Sequence, residues 1–158
     1  MLALYKGRSW VSRLIRWFNW SNYSHAAWVC RDGTIIEAWP PGGVQRAVSL
    51  FTNHLVDTAV DLYAVPGLTD AQRTRVEEFL VAQLGEPYDF MGVLGFLPRS
   101  RMENHAAWFC SELVFAGLQS AGLDLLRNIP ACKVYPGLLA LSPLLKQVDT
   151  VKVSRKTS

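Results

Sequence analysis

The sequence predicts an α+β fold in one domain, and three observations carry that expectation. Residues 25–30 and 34–39 are apolar runs on either side of Asp32-Gly33, a strong hairpin signal. Thr69-Asp70-Ala71-Gln72 has the form of a capping box ahead of a segment with helical periodicity. Cys110 stands just before an amphipathic segment, Ser111 to about Ala121, that stops at Gly122, a good helix C-cap. The chain has 158 residues, half of them hydrophobic and 18% charged. That is enough to bury a core and too apolar for a disordered chain. No linker or low-complexity run divides it, so residues 1–158 are read as a single domain.

The elements follow in order. Residues 2–5 are a short apolar strand ending at Gly7. Ser9 caps a helix running to about Asn19, with Trp10, Leu14, Trp17 and Phe18 at helical spacing. The hairpin comes next and closes at Pro40-Pro41-Gly42-Gly43. Val44–Leu50 is a further short strand, and residues 58–65 alternate as another, closed by Pro66-Gly67. The helix opened by the capping box extends to about Leu84. It has Val76, Phe79, Leu80 and Leu84 on one face and Glu77 and Glu78 on the other, and Gly85-Glu86-Pro87 stops it. Residues 88–107 are a loop rich in Gly, Pro and Arg, with 90–96 a candidate short apolar helix. After Gly122 the signals thin to a turn at Tyr135-Pro136-Gly137 and a last strand near 147–153.

Composition excludes several function classes. A net charge of +3 is too mild for a nucleic-acid partner, although Arg8, Arg13 and Arg16 make one end basic. That Trp-rich basic helix suits a membrane surface or an anionic polymer; the plainer expectation is a solvated Arg face over a buried aromatic one. Three cysteines without a CxxC pair make no disulfide framework and fit a reducing compartment. No apolar run approaches the ~18 residues of a transmembrane segment, and the first residues do not form a signal peptide. The expected location is therefore cytoplasmic.

The chemistry centres on Cys110. A thiol at a helix start meets unpaired backbone N–H groups and the positive end of the helix dipole, and both favour the thiolate that attacks carbonyls. Cys30 and Cys132 read as core. An imidazole is the natural base. His25 opens a strand, which holds it rigidly, and Glu37 lies on the partner strand. Their meeting depends on the turn. A two-residue Asp32-Gly33 turn would put them on opposite faces. A three-residue loop, Arg31-Asp32-Gly33, pairs Cys30 with Thr34 and makes His25 and Glu37 diagonal neighbours roughly 7–8 Å apart on one face. The three-residue loop is the expectation. His105, five residues before Cys110, is the rival base. His54 shows no acidic partner and reads as surface or structural. With no HExxH or paired CxxC pattern, neither a metal nor a cofactor is expected. The Cys110 backbone N–H is the candidate oxyanion donor, and Tyr88 either adds its hydroxyl or packs under the helix.

Taken in order, Gly7-Arg8-Ser9, Ile15-Arg16-Trp17, Ser21-Asn22-Tyr23-Ser24-His25, Glu37-Ala38, Tyr88-Asp89 and Phe109-Cys110-Ser111-Glu112-Leu113-Val114 resemble the circularly permuted NlpC-like cysteine hydrolases, in particular the YiiX-like group. Tyr135-Pro136-Gly137 and Leu141-Ser142-Pro143 are similar to that group's ending. The resemblance implies a papain-like fold with a small antiparallel sheet packed on the Cys-bearing helix. It also implies a triad of Cys110, His25 and Glu37. The related lecithin:retinol acyltransferase-like branch carries a second His where this chain has Glu37. The implied function is hydrolysis of an amide, in a peptide or cell-wall peptide, through an acyl-enzyme. The alternatives are an acyl-lipid substrate and a non-catalytic papain-like binding module.

Overall fold

The computed structural model describes residues 1–89 and 107–154. Its centre is a six-stranded antiparallel sheet in the order β4-β3-β2-β1-β5-β6. The strands are β1 (Leu2–Lys6), β2 (His25–Val29), β3 (Ile35–Trp39), β4 (Gly43–Ala47), β5 (Ala59–Ala64) and β6 (Lys146–Lys152). Four helices accompany them among the described residues: α1 (Trp10–Phe18), α2 (Asp70–Ala82), α3 (Cys110–Ser120) and the short α4 (Pro136–Leu139).

Alternation along the central strands sorts the side chains into two cores. Leu2, Leu4, Ala26, Trp28, Ile36 and Ala38 face α2 and α3, where Val76, Leu80, Leu113, Phe115 and Leu118 cover them. Ala3, Tyr5, Ala27, Val29, Ile35 and Val60 form a smaller cluster on the opposite face. A one-residue slip in any of these strands would exchange the two sets, so the register is strongly specified.

The hairpin has the three-residue loop. The Cys30 N–H donates to the Thr34 carbonyl at 2.8 Å and the Gly33 N–H to the Cys30 carbonyl at 3.2 Å. Val29 pairs with Ile35, and Gly33 sits at φ 81°, a left-handed conformation that glycine adopts without a steric penalty. Ser9 caps α1 by accepting from the Ser12 N–H at 3.0 Å. Thr69 and Gln72 complete the capping box of α2. The Ser111 hydroxyl donates to the Val134 carbonyl at 2.6 Å and ties the first turn of α3 to the segment before α4. Gly137 lies so close to Ser21 that a Cβ there would collide with the serine side chain. The α1–β2 connection and the start of α4 therefore touch.

Several expectations need correction. The fourth strand ends at Ala47 rather than Leu50. α2 ends at Ala82, and Leu84 beyond it is exposed, while Glu77 is half-buried 3.9 Å from Arg73. Tyr135-Pro136-Gly137 opens a helical turn, with Pro136 at its first position, where its missing N–H costs nothing. Cys132 is half-buried, whereas Cys30 is core as expected. The largest departure is α1. Ile15 is its only buried residue, and Trp10 and Trp17 are exposed, so its aromatic face is not covered by the rest of the described chain. The apolar helix expected at 90–96 falls outside the described residues.

Candidate active site

The hairpin register brings the first two candidate residues together. Trp28 pairs with Ile36, so Ala27 stands opposite Glu37 and His25 is the diagonal neighbour on the same face. The side chains close that diagonal: His25 Nε2 lies 2.7 Å from Glu37 Oε2, with both groups buried. Nε2 is thus occupied by the carboxylate, which leaves Nδ1 for a third partner.

That partner is Cys110. It is the first residue of α3 and fully buried, and its sulfur lies close enough to the His25 ring to raise the pKa of the imidazole. The thiol belongs to the helix-side core and the imidazole to the opposite face of the sheet; they meet where β2 begins. Phe109, the residue capping α3, has no side-chain acceptor to offer. Its own N–H donates to Glu112 Oε2 at 3.5 Å. The first-turn N–H groups of the helix, that of Cys110 among them, make no intrahelical bond, and the Phe109 side chain does not cap them.

The electrostatics favour an ionised pair. Burial alone would lower the His25 pKa, but the Cys110 sulfur and the Glu37 carboxylate beside it outweigh that and hold it up to about 10. Burial would raise the Glu37 carboxyl, yet the His25 hydrogen bond and the nearby His54 hold it well below the usual range. Its second oxygen, Oε1, accepts from Gln45 and Asn53 at 3.4 Å each, which are long bonds.

His54 is the residue the sequence reading missed. It is neither on the surface nor without an acid: its side chain is buried, and Nε2 lies 3.8 Å from Glu37 Oε2. That is too long for a hydrogen bond, and Nε2 has no hydrogen-bond partner among the described residues. Its ring stacks on Tyr5 at 4.0 Å with 14° between planes, and the edge of Trp39 contacts both His54 and His25. Burial and the neighbouring His25 lower its pKa, so the uncharged ring is favoured. No local pattern pointed to it. The partial clue is that Gln45 stands opposite Glu37 on β4, so the polar Asn53-His54 pair returns from the strand next to Glu37.

Tyr88 is buried next to the helix start, bridged to Trp108 and tilted against Phe109 at 6.2 Å between ring centres. His105, the rival base, lies outside the described residues.

No family model matches the chain, and no curated protein matches it. Among solved structures it is similar to YiiX, a metalloprotein of Escherichia coli O157:H7, with a TM-score of 0.67 over 94% of each chain and 21% identity. At that identity the likeness is one of fold, and the fold of this protein is YiiX-like.

Proposed function

We propose that this protein is a papain-like cysteine hydrolase of the permuted NlpC type that cleaves an amide bond through an acyl-enzyme on Cys110. One observation carries the reading. A single buried imidazole is bonded to a carboxylate at 2.7 Å and lies beside a buried thiol at a helix N-terminus, close enough for the sulfur to raise its pKa. The order of the chain, with the histidine strand ahead of the cysteine helix, agrees with the permuted arrangement.

In the reaction, the Cys110 sulfur attacks the carbonyl carbon and the C–O π electrons move to the oxygen. First-turn N–H groups of α3 stabilise that oxyanion, and the Tyr88 hydroxyl is a second candidate donor. His25, holding the thiol's proton, passes it to the leaving nitrogen as the C–N bond breaks. Water, deprotonated by the same imidazole, then attacks the thioester and releases the acid and the free thiol. Glu37 fixes the ring orientation and stabilises the imidazolium. Peptide or cell-wall peptide amides are the first substrate class and acyl lipids the second. The test is a screen of muropeptides, simple peptides and acyl lipids against the protein and its Cys110→Ala variant. Cleavage that vanishes in the variant supports the reading; no Cys110-dependent cleavage in any class removes it in favour of a binding module.

A specific observation favours a second reading, a divalent cation at His25, Glu37 and His54. One donor atom from each lies within 4.8 Å of the others, and the buried His54 Nε2 has no hydrogen-bond partner among the described residues. The similar YiiX is a metalloprotein. Two imidazoles and a carboxylate suit zinc, which would polarise a carbonyl or a water there. The 2.7 Å His25–Glu37 contact is a hydrogen-bond length, shorter than the about 3.4 Å between ligands of tetrahedral zinc, so a cation would have to replace that bond. Equilibrium dialysis with Zn²⁺ separates the readings: one tight equivalent lost in His54→Ala but kept in Cys110→Ala supports the cation, and no bound zinc removes it.

A further inference from the structure

The first 31 residues contain Lys6, Arg8, Arg13, Arg16 and Arg31 and no acidic residue. Within them α1 departs from ordinary amphipathic packing. Trp10 is 76% exposed, Trp17 68% and Trp20 95%, and Phe18 is exposed as well. Large aromatic residues left so open are rare on a self-contained surface, and here they are contiguous.

The geometry is that of a single stripe. Trp10, Arg13, Leu14 and Trp17 stand at i, i+3, i+4 and i+7 and line one shallow depression, and Arg8, Arg13, Arg16, Trp17 and Ser21 line the adjoining groove. Trp20 follows just past the helix end. Its φ of 47° is left-handed, an uncommon conformation for a bulky residue, and it holds the indole almost wholly in solvent. Arg8 has Asp57 at 3.8 Å, and Arg16 reaches the Gly7 carbonyl at 3.4 Å; Arg13 is exposed.

We propose that α1 and the turn through Trp20 form a docking surface for an anionic phospholipid bilayer. Indole rings settle at the headgroup level, with the apolar body toward the acyl chains and the N–H toward water. Arginines interleaved with them meet the lipid phosphates, and a basic, Trp-bearing helix with no acidic residue of its own matches an anionic interface in both respects. The helix would lie along the bilayer plane, as an interfacial helix does. Topology places it at the working end of the molecule. α1 is the connection from the end of β1 to the start of β2, where Tyr5 pairs with His25. Docking does not rest on the hydrolase reading, and its test reads no turnover.

The test is vesicle co-sedimentation of the full chain with phosphatidylcholine vesicles and with vesicles carrying 30% phosphatidylglycerol (about a third of the lipid anionic). The expected result is binding to the anionic vesicles, tenfold or more weaker to the neutral ones. A Trp17→Ser/Trp20→Ser variant should lose tenfold or more, and so should Arg13→Gln/Arg16→Gln. Both pairs sit outside the buried core, and circular dichroism checks that the fold is kept. Val48→Ser, an exposed apolar residue elsewhere, should bind as the parent does. Loss with the arginine variant alone would make the surface a plain polyanion site and overturn the proposal. So would unchanged binding in both variants, or no binding to either vesicle.

Discussion

Two carboxylates are buried in this sheet and held in opposite ways. Asp61 on β5 is saturated: Oδ2 receives the Tyr23 hydroxyl at 2.5 Å and the Lys6 ammonium at 2.7 Å, and Oδ1 accepts from Thr150 at 2.8 Å. Glu37 on β3 has one strong partner, His25 at 2.7 Å, two long ones at 3.4 Å, and an unsatisfied His54 at 3.8 Å. Asp61 joins β1, β5, β6 and the segment before β2 into one unit through short contacts to both of its oxygens. Glu37 spends its best contact on an imidazole that in turn faces a thiol. A buried polar network that is complete reads as structure, and one that is incomplete and aimed at a nucleophile reads as function.

The comparison is broken most directly at the thiol. Cys110→Ala should abolish turnover of the substrate found by the screen with the melting temperature little changed, and His25→Ala should lower kcat/KM by about 10³-fold or more while also lowering the melting temperature, because it leaves the buried Glu37 carboxylate without its partner. Next comes Glu37→Gln. The amide keeps the shape but loses the charge that stabilises the imidazolium, so kcat should fall by about 10²-fold while KM moves little. Asp61→Asn is its counterpart and should do the reverse. Denaturant titration should show a loss of about 1–2 kcal/mol, discounted because the Lys6 end is partly in water, and turnover should stay within about twofold. Equal losses of turnover in Asp61→Asn and Glu37→Gln would erase the distinction between the two carboxylates.

A smaller effect follows from pH. The Glu37 carboxyl is held below its ordinary 4.5, so its contribution to stability is present above that pH and is lost as pH falls through the lower folded value. His25 is raised from 6.5 to about 10, so its contribution is complete below 6.5 and is lost as pH rises toward 10. The pair therefore contributes most between the ordinary values of 4.5 and 6.5. Urea titrations at pH 5.5 and 9.5 should show stability falling toward the alkaline side, less so in Glu37→Gln. A parent protein as stable at 9.5 as at 5.5 would contradict the ionised pair. The smallest change is expected from His54→Gln, a few-fold in kcat, because its 3.8 Å approach to Glu37 is too long for a hydrogen bond and its ring is favoured uncharged.

The same two carboxylates show what was legible in the sequence. Glu37 could be placed because a hairpin is local: the Asp-Gly turn and the period of two fix which residues share a face, once loop length is chosen. Cys110 was legible for a similar reason, since a helix start can be read from its own segment. Asp61 went unremarked because its partners come from residues 6, 23 and 150, three separate segments that only the folded sheet assembles. His54 was misread for the same cause; the loop carrying it folds back over Tyr5 and Trp39, and nothing adjacent to it in the chain announces that. In α1 the spacing was right and the conclusion wrong, because periodicity identifies an apolar face without saying what covers it.

The central claim is that His25 activates Cys110. Iodoacetamide labelling of Cys110 at pH 6.5, followed by mass spectrometry in the parent protein and in His25→Ala, tests it most directly, because the burial of the thiol is common to both. The account predicts labelling at least about tenfold faster in the parent, as expected when a neighbouring imidazolium supports the thiolate. Equal rates in the two proteins would contradict it.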